Sequence, residues 1–424
     1  MISALVPIFF SLLLFGLPIF AALALAVTVA LYFFGGIDPL VVPMRMFSGM
    51  NNFSLMSIPF FILAAELMRI GGLSDRLIEL AKALIGWLPG GLAAATVLAC
   101  LFFGSISGSS PATVIAIGTI MYPAMVAAGY NKYFSIGLIA TAGTLGPIVP
   151  PSIALIIYGS VTGTSVGKLF AGGLLPALLI GGLLIAYTTW YAIRNNYARD
   201  PFPSLRQIGA AFKRSAWGLG LPVILLGGIY SGVFTPTESA ATACLYGWFV
   251  GTVVYRSIGL RALLEILRNT GLLSGTLLLI TAGASAFSWI LASTGTPTQI
   301  ASEVLSSTDS PILIMLLFNV IMLIAGCFLD SASAIIILAP LMQPIAAQVG
   351  VDAVHFGIIT LVNLSVGMLT PPVGLNLFVA MGVAKMTLYE IFRAALPTIC
   401  LMLVALLLIT YIPAISTLLP NVLY

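Results

Sequence analysis

The chain has 424 residues, of which 60% are hydrophobic and 7% charged, with a mean hydropathy of +1.17. A soluble domain carries about 25% charged residues, which excludes a water-soluble fold of this size. The formal net charge of +4 is scattered between apolar runs and forms no basic stripe, so nucleic acid is not expected as a partner.

Apolar runs of roughly 20 residues can each cross a bilayer core as a helix. Short alternating strands with polar turns, the mark of a membrane β-barrel, are absent. The expected class is an all-α polytopic membrane protein in contact with lipid.

In chain order, the first run is Phe9 to Phe34. It lacks a basic n-region and a small-residue cleavage site and is too long for a signal peptide, so it reads as a retained first span. A charged stretch from Arg69 to Lys82 follows. The segment Leu92–Ala128 contains FFGSISGSSPATVIAIG, a hairpin with its tip near Gly104 to Pro111. GTLGPIVPPS (Gly143 to Ser152) interrupts the next apolar run, and Ala171 to Ile193 is an unbroken one. A loop holds Arg194, Arg199, Arg206, Lys213 and Arg214. Two spans near Trp217 to Val233 and Ser239 to Tyr255 lead to a second loop with Arg256, Arg261 and Arg268. The stretch Thr294 to Ser310 carries Glu303 and Asp309 and no basic residue. Pro311–Gln348 contains IAGCFLDSASAIIILAP, a second hairpin with its tip near Leu329 to Ser333. GMLTPPVGLN (Gly367 to Asn376) is a second break, and Ala394 to Ile415 a last span. Cys100, Cys244, Cys327 and Cys400 all fall in apolar runs and read as small packing residues.

The positive-inside rule orients this path. If each hairpin enters and leaves on one side, 14 of the 16 basic residues are cytoplasmic and only Arg45 and Lys168 are outside. The N-terminus is then cytoplasmic and the C-terminus periplasmic.

An internal repeat supports the hairpins. One shift of 221 residues places Met121 on Met342, Pro123 on Pro344, Gly146 on Gly367, Pro150 on Pro371 and Pro151 on Pro372. It places Ser109-Ser110 on Asp330-Ser331. The charges start the two copies from opposite sides, which makes the repeat inverted. Such repeats bring interrupted helices together at the bilayer midplane, where substrate and ions bind. Proline removes a backbone donor and clashes with the preceding turn, freeing carbonyls that must face protein or water. Those carbonyls and the neighbouring hydroxyls suit a small hard cation. Helices restarting after each tip point their N-termini inward, which favours an anion.

These motifs resemble the large membrane (M, DctM-like) subunit of tripartite ATP-independent periplasmic (TRAP) transporters. The matching pieces are IPFFILAAELM at Ile58, LPGGLA at Leu88, SGSSPATV at Ser107, GTLGPIVPPSIALIIYG at Gly143, GGIYSGVFTPTESAA at Gly227, VHFGI at Val354 and LTPPVGLNLFVA at Leu369. They cover essentially the whole chain in order. The resemblance implies an elevator-type fold with two re-entrant hairpins and two broken helices in a mobile part. A scaffold flanks it, with amphipathic arms at LSDRLIELAKALIGWL after Gly72 and PTQIASEVLSS after Thr296. The expected division is 1–91 scaffold spans and arm, 92–193 first repeat and following span, 194–293 loop and central scaffold, 294–393 second arm and second repeat, and 394–424 last span. Implied partners are a small four-helix membrane (Q) subunit, expected as a separate chain, and a periplasmic substrate-binding protein. No cofactor is expected beyond sodium as coupling ion.

By the same resemblance, one sodium site would use Ser105, Ser107, Gly108 and Ser109 with carbonyls at Gly143, Gly146 and Pro147. The other would use Asp330, Ser331 and Ser333 with carbonyls at Leu369, Thr370 and Pro371. Substrate contacts would come from Ser110, Thr113, Pro150, Pro151, Ser152, Pro372, Gly374, Asn376 and Arg45.

Plainer roles stay open for several of these. Asp330, placed as the only acidic residue at membrane depth, can be a helix N-cap or an ion ligand, since a carboxylate there costs about 2.5–3.5 kcal/mol and needs a partner. The tip serines can be small packing residues. Asn376 can bond helices or touch substrate; Arg45 can be an interfacial anchor or meet a carboxylate. Pro236 and Glu238 in FTPTESAA read as a helix cap, and His355 as a surface-turn residue.

The expected function is sodium-coupled uptake of an organic acid across the bacterial inner membrane, with a C4-dicarboxylate favoured over a sugar acid. The alternative is a related symporter or exchanger working without a binding protein. No G-x-x-x-x-G-K-[ST] stretch marks an ATP site, and one histidine with scattered cysteines does not furnish an enzyme's active site.

Overall fold

The computed structural model describes residues 2–51, 53–197, 201–295, 299 and 310–424, and all regular structure among them is helical. The arm PTQIASEVLSS, with Glu303 and Asp309, lies outside the described residues apart from Gln299.

The expected span Phe9 to Phe34 is not one helix. It is α1 (Ile2–Leu14) followed by α2 (Ile19–Ala30). Gly16 takes a left-handed φ of +81°, and its N–H closes the end of α1 on the Leu13 carbonyl at 2.9 Å. Pro18 then precedes α2. Glycine after a helix end and proline before a helix start are the usual stop and start signals, and they override continuous hydropathy here.

Next come α3 (Val41–Met50), α4 (Ser57–Ile70) and α5 (Leu73–Ile85). The last two are bent by 74° at Gly71-Gly72. The first expected arm is α5: Leu73, Leu77, Ile78 and Ala81 are buried, while Asp75, Glu79 and Lys82 face out. Its buried stripe packs against α6 (Gly91–Ser107) and α12 (Leu205–Tyr230). Ser215 Oγ donates to the Arg76 carbonyl at 2.8 Å, and the Arg76 guanidinium lies 3.5 Å from the Tyr255 ring centre.

The first repeat contains α6, α7 (Ser110–Ala127), α8 (Lys132–Ala142), a single turn α9 (Leu145–Ile148) and α10 (Ile153–Thr162). A long helix, α11 (Val166–Arg194), follows. After α12 come α13 (Pro236–Phe249) and α14 (Leu260–Ser293). Here the structure corrects the loop boundaries. Arg206, Lys213 and Arg214 lie on the first turns of α12, and Arg261 and Arg268 on α14. The second repeat is α15 (Pro311–Phe328), α16 (Ser331–Gln348), α17 (Ala353–Gly367) and α18 (Leu375–Ala384). The chain ends with α19 (Leu388–Tyr411) and α20 (Ala414–Leu423), which packs on α11.

The repeat read from the sequence is structural. Helices α7 and α16 have the same length and differ by 221 at both ends. Asn131 and Asp352, 221 apart, cap α8 and α17 by accepting backbone N–H bonds. Both Pro150–Pro151 and Pro371–Pro372 are cis. The repeats interlock: α10 of the first packs on α16 of the second, and α18 of the second on α7 of the first. Around them, α2, α3 and α4 pack on α14, and α13 on α4.

His355 is a correction. It is 3% exposed, on α17 rather than in a surface turn. Its Nδ1 is 2.6 Å from Ser416 Oγ and its Nε2 is 3.2 Å from the Thr410 carbonyl. Thr410 Oγ1 in turn accepts from Asn319 Nδ2 at 3.1 Å, and Asn363 Nδ2 donates to Asn319 Oδ1 at 2.7 Å. A polar ladder therefore fastens α17 to α15, α19 and α20.

The capping expected in FTPTESAA is present: Thr235 Oγ1 accepts from Glu238 N–H, and the Glu238 carboxylate accepts from Thr235 N–H at 2.8 Å. Thr235→Ala should destabilise the protein by about 1 kcal/mol, read as a lowered melting temperature in detergent with sodium dependence unchanged.

Candidate functional site

The first tip forms where α6 stops. Gly108 adopts a left-handed φ of +58° and donates its N–H to the Gly104 carbonyl at 3.0 Å. Ser109 is extended, and Pro111 opens α7 within its first turn. Three oxygens converge behind this tip. Ser107 Oγ is 3.0 Å from Thr113 Oγ1, Thr113 Oγ1 donates to the Ser109 carbonyl at 2.8 Å, and Ser107 Oγ lies 3.4 Å from the same carbonyl. Gly146 makes room for them. A Cβ there would lie 2.6 Å from both the Ser109 carbonyl oxygen and Thr113 Oγ1. Gly104 also packs on this turn, where its own Cβ would be 2.9 Å from Gly146 Cα.

The second tip repeats the plan with a carboxylate added. Asp330 Oδ2 accepts from the N–H groups of Ala332 at 3.0 Å and Ser333 at 3.3 Å, and Ser333 Oγ donates to Oδ1. The cap reading is thus correct for the structure, and it holds Asp330 at the tip. Ser109, its counterpart, makes no such side-chain cap. The second break clamps the tip: Val373 and Gly374 N–H donate to the Cys327 carbonyl at 3.2 and 3.1 Å. Gly326 meets Gly367 as Gly104 meets Gly146; a Cβ on Gly367 would be 2.6 Å from Gly326 Cα.

Both tips open on one cavity of about 410 Å³. Ser107, Gly108, Ser109, Ser110, Pro147, Asp330 and Ser331 line it from the repeats. Ile62, Ala65, Glu66 and Arg69 of α4, and Leu273, Thr276, Leu277 and Ile280 of α14, close the opposite wall. Glu66 is a second carboxylate on the same cavity as Asp330, one that the sequence reading did not single out. Its motif reads as an apolar run, and only the Arg69 spacing of three residues hints at a pair.

The other expected residues fall into three groups. Thr113, Gly143, Gly146 and Ser333 are buried behind the tips. Pro150, Pro151 and Ser152 are buried in the first break, where Ser152 Oγ caps α10 by accepting from Leu155 N–H at 3.3 Å. The second break is shallower: Leu369 is buried, Thr370 and Pro371 are half-buried and Pro372 is exposed. Gly374 starts α18 with a φ of +59°. Asn376 bonds helices, its Nδ2 donating to Ser110 Oγ and to the Ala140 carbonyl.

None of these other expected residues lines the cavity, and neither do Ser105 and Arg45, which find partners of their own. Ser105 Oγ donates to the Phe102 carbonyl at 2.7 Å, one turn back. Arg45 stacks its guanidinium 4.9 Å from the Trp289 ring centre.

Paired hairpins and paired broken helices around a shared cavity define a secondary-transporter architecture. The fold is similar to a solved transporter from Alcanivorax borkumensis, YdaH, at a TM-score of 0.63 and 18% identity, covering 91% of this chain and 88% of that one. The family described as "Tripartite ATP-independent periplasmic transporter, DctM component" matches residues 6–415, and the chain belongs to it. Among its relatives are the C4-dicarboxylate TRAP transporter large permease proteins DctM of Rhodobacter capsulatus, 41% identical over 97% of each chain, and of Pseudomonas aeruginosa, 45% identical over 89% of this chain and 88% of the other. The family and these relatives are transporters, not enzymes.

Proposed function

We propose that this protein takes up a C4-dicarboxylate across the inner membrane in symport with sodium, by an elevator movement of the two repeats against α2–α4 and α12–α14. The observation that carries this reading is the pair of oxygen clusters at pseudo-equivalent tips, opening on one cavity. Ser107 Oγ, Thr113 Oγ1 and the Ser109 carbonyl would hold one sodium ion with backbone oxygens of the first break. Asp330, Ser331 and Ser333 would hold the other with those of the second. Hydroxyls and carbonyls are hard oxygen donors of the kind an alkali cation takes. The restarting helices α7 and α16 would face a substrate carboxylate with their N-termini.

The charges favour the Arg69 side of the cavity as cytoplasmic. On this reading the cavity would be the route to the cytoplasmic side. A separate cavity of about 430 Å³, lined by Ser48, Asn51, Ser160, Thr281, Ser285 and Ser288, would mark the periplasmic approach. A periplasmic binding protein would deliver substrate there, and a small membrane subunit would cover part of the outer apolar surface.

The energetics are adequate. Two sodium ions with a dianion move no net charge, and a tenfold sodium gradient supplies about 2.8 kcal/mol, roughly hundredfold accumulation. A monoanion would add about 2.3 kcal/mol from 100 mV.

Proteoliposomes holding this chain and its small subunit should accumulate radiolabelled succinate only with an inward sodium gradient and binding protein present. Uptake indifferent to sodium would remove the ion assignment at both tips. Uptake needing sodium but no binding protein would favour a two-component symporter instead.

A further inference from the structure

Across the cavity from the tips is a charge pair that neither oxygen cluster uses. Arg69 Nη2 donates to Glu66 Oε2 at 2.7 Å and its Nε to Oε1 at 3.1 Å, the two-pronged arrangement of a guanidinium and a carboxylate. Arg69 is the one basic side chain among the described residues lining this cavity. The pair is not sealed in: the Arg69 side chain is 40% exposed and that of Glu66 16%.

An ion pair on a cavity wall has a plain structural reading, as a link between successive turns of α4. Such pairs contribute little when exposed to water. The geometry suggests more. Glu66 occupies Arg69 in the same way a substrate carboxylate would, and the guanidinium fork is matched to that group in a way lysine is not. A dicarboxylate leaving the tips toward the Arg69 side meets no other fixed positive charge on the cavity wall. It also meets Glu66, tethered next to the same guanidinium and so present at high effective concentration.

We propose that Arg69 is a carboxylate subsite on the release side of the cavity and that Glu66 is its built-in competitor. Arg69 draws the departing carboxylate off the tips, and Glu66 reclaims the guanidinium and frees the product. This deepens the dicarboxylate reading above and rests on it.

The two residues therefore have opposite expected effects, whereas a purely structural pair would give the same effect from either side. The readout is the internal succinate concentration that half-saturates counterflow of external labelled succinate, in proteoliposomes containing the chain with its small subunit and binding protein. Arg69→Gln should raise that concentration about tenfold, the loss of one charge-assisted contact. Glu66→Gln should lower it about threefold, with slower net release. Arg69→Lys, which keeps a charge against Glu66 but not the fork, should still raise it and covers the case in which the glutamine variant fails to fold. Shifts in the same direction for both positions, or none, would overturn the subsite while leaving the transport reading intact. A native protein without sodium-dependent succinate counterflow would overturn the transport reading, and the subsite with it.

Discussion

Asp330→Asn should leave the protein folded and raise the sodium concentration for half-maximal uptake at least tenfold. The two roles of Asp330 separate in this substitution. As an N-cap it accepts from Ala332 and Ser333, and asparagine caps about as well as aspartate. Its charge has no such substitute. A carboxylate at membrane depth costs about 2.5–3.5 kcal/mol, so removing it should not lower the melting temperature. Against a bound cation about 4 Å away, the same charge contributes on the order of 4 kcal/mol at a protein-like dielectric, so a tenfold loss is a conservative expectation. Asp330→Ala should do both things at once, lowering stability by about 1 kcal/mol through the lost cap as well as abolishing coupling. Sodium titrations of uptake beside thermal melts in detergent separate the effects. An Asp330→Asn protein with native sodium dependence would reduce Asp330 to a cap.

Gly146→Ala should have an effect of similar size at the first tip, for a steric reason. The added Cβ would lie 2.6 Å from the Ser109 carbonyl oxygen and from Thr113 Oγ1, two of the three oxygens that converge there. Neither is the far end of a flexible chain, so the cluster itself must spread. Gly367→Ala should act on the second site by separating the hairpin from the break, since its Cβ would be 2.6 Å from Gly326 Cα. Gly271→Ala is the control. Nothing lies within 4 Å of that Cβ on α14, and a glycine-to-alanine change inside a helix is neutral or stabilising by up to about 1 kcal/mol. Uptake at limiting and saturating sodium should show Gly146→Ala losing at least tenfold at the limiting concentration. Equal loss at both concentrations would indicate general misfolding rather than damage to an ion site.

Much of this architecture is legible in the sequence because proline and glycine mark it. The tips, the two breaks and the 221-residue shift all depend on residues whose backbone limits are local. The same is true of the caps at Asp330 and in FTPTESAA. The features that were not legible depend on partners distant in sequence. The ring of His355 is held by residues 55 and 61 positions away, on α19 and α20, so nothing near it announces burial. Arg45 finds Trp289 on α14. Glu66 faces the cavity only because α4 turns that side toward both tips. The break between α1 and α2 was legible in Gly16 and Pro18, but a hydropathy window averages over both.

The most direct test of two coupled sites is the sodium-to-succinate ratio, measured in proteoliposomes as the succinate gradient that just balances an imposed sodium gradient at zero membrane potential. Two sites require the balancing succinate ratio to rise as the square of the sodium ratio, so a tenfold sodium gradient should hold about a hundredfold succinate gradient. Asp330→Asn and Gly146→Ala should each weaken that dependence. A balancing ratio of one at every sodium gradient would contradict sodium coupling altogether, and a first-power dependence in the native protein would leave one of the two oxygen clusters without a coupling ion.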